Sequence, residues 1–168
     1  MDTREARILV VDDDRQVAAF TAMSLGILGA AGQVATACSA GDAYRQMLAA
    51  PFDLVISDLR MPGMDGLELL EQIGSHFPGV RLVLVTGDSN PGIEGRARRA
   101  GVHRCVSKPY PVELLGTIVC DLLAGRDGQV AADAAGSVAV DLGSAGERSH
   151  GPGTTAPDRG QGGTGLTG

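Results

Sequence analysis

The chain has 168 residues, a formal net charge of −6, 43% apolar and 20% charged residues. That length holds one domain with a substantial core and not comfortably two. The acidic balance argues against a protein that lives on phosphate backbones. No apolar run is long enough for a membrane span, and the short run Ile8–Val11 is too brief for a secretory leader, so a cytoplasmic protein without membrane contact is expected.

The predicted elements alternate. Strands fall at Arg7–Val11, Gln33–Thr36, Leu54–Ser57, Arg81–Thr86 and Arg104–Ser107, each followed by a helical pattern: about Arg15–Gly29, Ala40–Ala49, Leu67–Ser75, Ile93–Ala100 and Pro111–Leu123. The runs Ile8-Leu-Val-Val11, Leu54-Val-Ile56 and Leu82-Val-Leu-Val85 are continuously apolar, the mark of strands buried on both faces. Asp13 or Asp14 is placed to cap the first helix and Ser39 the second; Gly101 closes the fourth, and Pro111 suits the first turn of the fifth. Pro91, Gly92 and Gly95 predict a weak or displaced start for the fourth helix. Alternating strands and helices with short connections imply a doubly wound α/β sheet of five parallel strands flanked by five helices.

Residues 5–124 form this unit. Residues 125–168 are rich in Gly, Ala, Ser, Thr and Asp and lack aromatics. That segment reads as a largely disordered tail, with a weakly periodic stretch from Val130 to Leu142 that suits a short helix or strand. Its Gly151-Pro-Gly153-Thr-Thr-Ala156 matches a dinucleotide fingerprint on paper, but without a flanking strand and helix it reads as a chance match. Cys38, Cys105 and Cys120 are odd in number and far apart, and His76, His103 and His150 form no ligand pattern, so neither a disulfide framework nor a zinc site is expected.

Ligands of such sheets bind beyond the carboxyl ends of the strands. Those ends carry Asp12-Asp13-Asp14, then Asp58, then Thr86, then Lys108-Pro109. Carboxylates gathered there need a counter-charge, and oxygen ligands suit Mg²⁺. A carboxylate can also accept a phosphoryl group, whose oxygens need positive charge and hydrogen-bond donors around them. Of 14 basic residues 13 are arginine, and Lys108 is the one lysine. Its compact ammonium is a different tool from a planar guanidinium. These residues alone leave open whether Asp58 or Asp13 is the nucleophile; Asp58 stands alone, whereas Asp12 and Asp13 form a pair better suited to metal.

Four segments resemble the response-regulator receiver domains of two-component signalling: Ile8-Leu-Val-Val-Asp-Asp-Asp14, Leu54-Val-Ile-Ser-Asp-Leu-Arg-Met-Pro-Gly-Met-Asp-Gly66, Leu82-Val-Leu-Val-Thr-Gly87 and Val106-Ser-Lys-Pro109. The resemblance covers residues 5–124 and implies a flavodoxin-like sheet of strand order 2-1-3-4-5. It implies Asp58 as phosphoacceptor and Asp12, Asp13, Asp58 and the Arg60 backbone carbonyl as Mg²⁺ ligands. It implies Thr86 and Lys108 as phosphoryl-binding residues, with a cis peptide before Pro109. A sensor histidine kinase or phosphotransfer protein would be the donor. The chain would then be a signalling phosphoacceptor rather than an enzyme, catalysing only its own phosphoryl transfer and slow dephosphorylation. Output would run through a protein partner, without direct DNA binding.

This chain departs from the family at Cys105, where the switch position is usually aromatic; a thiol cannot fill or vacate the same space. Two positions that tune the phosphoryl lifetime in the family carry Arg60 and Asp88. Arg96, Arg98, Arg99 and Arg104 make a local basic cluster, which reads first as a solvated helix face, then as a docking face for an acidic partner, and last as a nucleic-acid contact. Cys105 leaves a phosphorylation-independent interaction module as the alternative function. An aspartyl-phosphate hydrolase is disfavoured because Arg60 stands where its second acid would be.

Overall fold

The computed structural model describes residues 5–88, 90–126 and 139–142. Strands β1 (Arg7–Val11), β2 (Gln33–Ala37), β3 (Leu54–Asp58), β4 (Arg81–Thr86) and β5 (Arg104–Ser107) alternate with helices α1 (Arg15–Ile27), α2 (Ala40–Ala49), α3 (Gly66–His76), α4 (Pro91–Arg99) and α5 (Val112–Leu123). The five strands are parallel in the order β2-β1-β3-β4-β5. A sixth strand, β6 (Ala139–Asp141), pairs antiparallel with β5. The five parallel strands and their order are those expected; β6 adds an antiparallel strand at the β5 edge, formed by residues 139–141 from the weakly periodic stretch of the segment read as tail. The Gly151–Ala156 match lies outside the described residues.

Alternation explains the continuously apolar runs. Leu9, Val11, Val55, Leu82, Leu84 and Cys105 face one buried cluster with residues of α2, α3 and α4. Ile8, Val10, Leu54, Ile56, Val83, Val85 and Val106 face a second cluster with residues of α1 and α5. Each such side chain contributes roughly 1.5–3 kcal/mol by leaving water, and both faces of the sheet are covered, so no polar alternation is possible. One surface departs from this economy. The outer side of α1 exposes Phe20, Met23 and Ile27, with Ile27 at 78%.

Local chemistry sets the helix starts. Asp14 caps α1, its carboxylate accepting from the Gln16 and Val17 amides. Ser39 accepts from the Asp42 amide at the start of α2. Asp65 and Glu68 form a reciprocal capping box on α3. The fourth helix corrects the sequence reading: it starts at Pro91, not Ile93, because Asn90 Oδ1 accepts from the Ile93 amide at 3.0 Å and Pro91 sits where a missing N–H costs nothing. Pro111 is the residue before α5 rather than in its first turn, and makes no side-chain cap. Gly101 follows α4 with φ +77°, a conformation that favours glycine.

Strand β1 lies between β2 and β3, so the connections out of β1 and β3 leave on opposite faces of the sheet. The crevice this opens at their carboxyl ends lies beside Asp12 and Asp58.

Candidate functional site

Three strand ends deliver the charged centre. Asp58 closes β3, Asp12 follows β1 and Lys108 follows β5. Lys108 Nζ donates to Asp58 Oδ1 at 2.6 Å and stands 3.7 Å from Asp12 Oδ2. Two carboxylates thus share one ammonium. Asp12 is buried at 7% exposure. Its Oδ1 accepts from the Asp14 amide at 2.9 Å, and Asp58 Oδ2 accepts from the Arg60 amide at 2.9 Å. Asp13 is exposed next to Asp12. The Lys108–Pro109 peptide is cis.

The electrostatics follow from this packing. Burial raises the Asp12 pKa; the Asp14 amide and the Lys108 charge act against that rise, while Asp58 and Asp13 add to it. For Lys108, burial works against the ammonium, but the hydrogen bond and charge of Asp58, helped by Asp12, outweigh it and hold the pKa above its ordinary value. Burial likewise raises the Tyr110 phenol, with Lys108 and a bond to Thr21 opposing.

Around this centre stand the remaining rim groups. Thr86 is buried at 1% exposure; its hydroxyl accepts from the Asp88 amide at 2.9 Å and lies 3.3 Å from the Asp88 carbonyl. Arg60 Nη2 donates to Asp88 Oδ2 at 2.9 Å, so the β3–α3 and β4–α4 loops are linked above the rim. Cys105 lies in β5, inside the core cluster on the α4 side, and is 5% exposed. The structure therefore brings Asp12, Asp58 and Lys108 into contact, places Asp13, Arg60 and Thr86 on the same rim, and sets Cys105 apart in the core.

Two features went unread in the sequence. Gly66 begins α3 against the end of β3: a Cβ there would collide with the Asp58 carbonyl and stand 2.7 Å from Ser57 Oγ. The Asp65-Gly66 pair was visible as part of a motif, but its reason is this close approach. Arg104, counted in the basic cluster, is a β5 residue at 2% exposure, and Arg96 pairs with Asp65 at 3.5 Å. The basic surface is smaller than the residue count implied.

The donor set bears on whether a divalent cation suits the site. Among the described residues no three His, Cys, Asp or Glu side chains are already gathered into a metal cage. Mg²⁺ does not require one, since it commonly takes one or two carboxylates and keeps waters. Two carboxylates converge on a single ammonium, and burial together with the neighbouring Asp58 and Asp13 raises the pKa of Asp12, a donor set that fits a hard cation.

The fold is thus a doubly wound α/β sheet with an acidic pair, a lone carboxylate and a lysine at its carboxyl rim. The profile of the response regulator receiver domain matches residues 8–119, and the chain belongs to that family, the receiving module of two-component systems. It is 31% identical over 115 residues to the C4-dicarboxylate transport transcriptional regulatory protein DctD of Pseudomonas aeruginosa, covering 66% of this chain and 24% of that protein. It is 35% identical over 108 residues to the transcriptional regulatory protein ZraR of Salmonella typhimurium, covering 64% and 24%. The chain thus spans about a quarter of the length of these relatives. Among solved structures, a CheY-like receiver domain protein from Methanospirillum hungatei superposes with a TM-score of 0.69 at 28% identity, over 73% of this chain and 97% of that one. Among the described residues no helix is long and apolar enough to cross a membrane.

Proposed function

We propose that the chain is a phosphoacceptor response regulator in which Asp58 takes a phosphoryl group from a sensor histidine kinase or phosphotransfer protein. The observation that carries this reading is the Lys108 ammonium, 2.6 Å from Asp58 and shared with Asp12. An Asp58 oxygen attacks phosphorus, a P–O bond forms and the donor's P–N bond breaks, with the proton returning to the donor imidazole. Lys108 is placed to follow the negative charge from carboxylate to phosphoryl oxygens. Thr86 turns its hydroxyl from the Asp88 backbone toward those oxygens. Asp12, Asp13, Asp58 and the Arg60 carbonyl would hold Mg²⁺, which when bound supplies the positive charge that the transferring group needs. Arg60 and Asp88, paired over the rim, shield the acyl phosphate from water.

Residues 5–124 are the functional unit on this reading, and the protein acts in the cytoplasm through an output protein rather than on DNA. Cys105, too small to act as an aromatic switch, alters how the phosphorylated state is read rather than whether it forms. Intact-mass analysis after incubation with phosphoramidate and Mg²⁺ tests the proposal. A single phosphoryl adduct is expected on the wild type and none on Asp58→Asn. An adduct that persists on Asp58→Asn means another carboxylate is the acceptor. A folded wild type that takes up no phosphoryl group from the small donor or from a panel of histidine kinases points to the interaction module.

A further inference from the structure

His103 leads into β5 and is tied there twice to one residue of β4. Its amide donates to the Leu82 carbonyl at 2.8 Å, and its ring Nδ1 accepts from the Leu82 amide at 3.1 Å. The Arg81 amide pairs on the β3 side, with the Asp53 carbonyl at 2.9 Å, so the next residue, Leu82, turns its backbone groups to β5. A backbone carbonyl of the neighbouring strand would ordinarily meet that amide. Here the chain before His103 is still in the turn after α4, with Gly101 at φ +77°, and the imidazole takes the carbonyl's place. The His103 carbonyl in turn accepts from the Leu142 amide at 3.1 Å and from Arg104 Nη1 at 3.0 Å. One residue thus ties β4 to the start of β5 and to the segment that follows β6.

This bond fixes the state of the ring. An accepting Nδ1 carries no proton, so the imidazole is neutral and its proton is on Nε2. An imidazolium would set N–H against N–H. Leu82 is 1% exposed, so its amide would be left buried without an acceptor. Among the described residues, Glu71 of α3 and Arg99 of α4 line the cleft beside the ring. Arg81 precedes Leu82 on β4, Arg104 follows His103 on β5, and Asp141 of β6 is in register with Arg104. The guanidinium groups outnumber the carboxylates, so this surrounding does not offset the lost bond. A strand carbonyl in the same place would not titrate, whereas an imidazole changes charge between about pH 5 and 8.

We propose that His103 is an acid-sensitive latch at the start of β5. With the ring neutral the latch is closed. Protonation at Nδ1 releases the Leu82 amide and loosens the start of β5, with the β6 segment that hangs on the His103 carbonyl, from β4. The closed form is fully favoured above about pH 6.5, where a histidine released from the fold is already neutral, and is lost as the pH falls below that value. The latch lies at the opposite end of β5 from Lys108 and does not depend on phosphorylation of Asp58.

Nitrogen-15 NMR of the histidine rings in the full chain tests it. At about pH 7.5 the His103 Nδ1 is expected to carry no proton, and the ring should titrate at lower pH than the same residue in the urea-denatured chain. A ring that titrates with that reference, or above it, overturns the proposal. Hydrogen exchange gives a second reading. From about pH 7.5 to about pH 5.5, protection of the Leu82 and Leu142 amides, referred to each amide's intrinsic rate, should fall roughly 5- to 10-fold. In His103→Asn, whose Oδ1 can accept the same amide but takes up no proton in this range, protection should stay level. Equal losses in both proteins, or none in the wild type, overturn the proposal. If the variant does not fold, the ring titration of the wild type decides alone.

Discussion

Lys108 Nζ and Asp58 Oδ1 are 2.6 Å apart, and with this contact the end of β5 is tied to the end of β3 across the intervening β4. The lysine side chain is 35% exposed and the aspartate 11%, so the pair is sheltered yet reachable from solvent. A charge-assisted bond in that setting is worth about 1.5–3 kcal/mol. On the proposed function, its chemical value lies in following charge as it moves.

Replacing the lysine should separate these roles. Lys108→Met is expected to fold and to take up phosphoryl groups from phosphoramidate roughly 10- to 100-fold more slowly, the rate equivalent of losing about 1.4–2.8 kcal/mol of transition-state stabilisation. Lys108→Arg should recover little of this, because a planar guanidinium cannot take the place of a compact ammonium between two carboxylates. Time courses by intact mass measure both. Full rates in Lys108→Arg would show that charge alone suffices.

The Arg60–Asp88 pair predicts an effect on lifetime without an effect on stability. Its side chains are 78% and 42% exposed, and such pairs contribute about 0–1 kcal/mol to folding. Arg60→Ala and Asp88→Ala should each shorten the half-life of the acyl phosphate, and the double variant should be no shorter-lived than the worse single. The thermal midpoints should stay close to that of the wild type. Adduct decay after donor removal reads the first, calorimetry the second.

Gly66→Ala should be costly for a side chain so small. The new methyl meets the Asp58 carbonyl and the Ser57 hydroxyl, so either α3 or the end of β3 must move. Overpacking of this kind costs about 1–3 kcal/mol. Urea denaturation should show that loss. Because the displaced backbone carries Asp58, phosphoryl uptake should fall even at temperatures where the variant is folded.

Cys105 supplies a pH dependence. Burial, assisted by Glu94, pushes its thiol up to about 11 from an ordinary 9.0. The folded state therefore holds this proton more tightly than the unfolded chain does. The associated stability is fully present below pH 9 and is lost as the pH rises towards 11. Urea midpoints across that range should fall further for the wild type than for Cys105→Ala. At pH 7 the buried thiol is protonated, and iodoacetamide should modify exposed Cys120 well before Cys105.

Much of the molecule was legible from local sequence. Continuous apolar runs marked β1, β3 and β4 because strands covered on both faces have no polar positions to show. Asp14 and Ser39 announced helix starts because a cap acts within three residues. The rim residues Asp12, Asp58, Thr86 and Lys108 were readable because each ends or follows a strand, and parallel strands all end on one side. Pro91 was misread because proline opposes a helix in its interior and favours it in its first turn, a distinction that turns on Asn90 being the cap.

What only the tertiary structure decided concerns groups distant in the chain. Lys108 shares its charge between Asp12 and Asp58, Arg60 reaches Asp88, Gly66 touches the end of β3, and Arg104 leaves the surface for the core. Leu142, in a segment whose composition reads as disordered, is buried in a core cluster because the strand before it pairs with the open edge of β5. Propensity and periodicity act over a few residues. These contacts depend on which strands lie side by side and on the space left between them, and packing alone determines that.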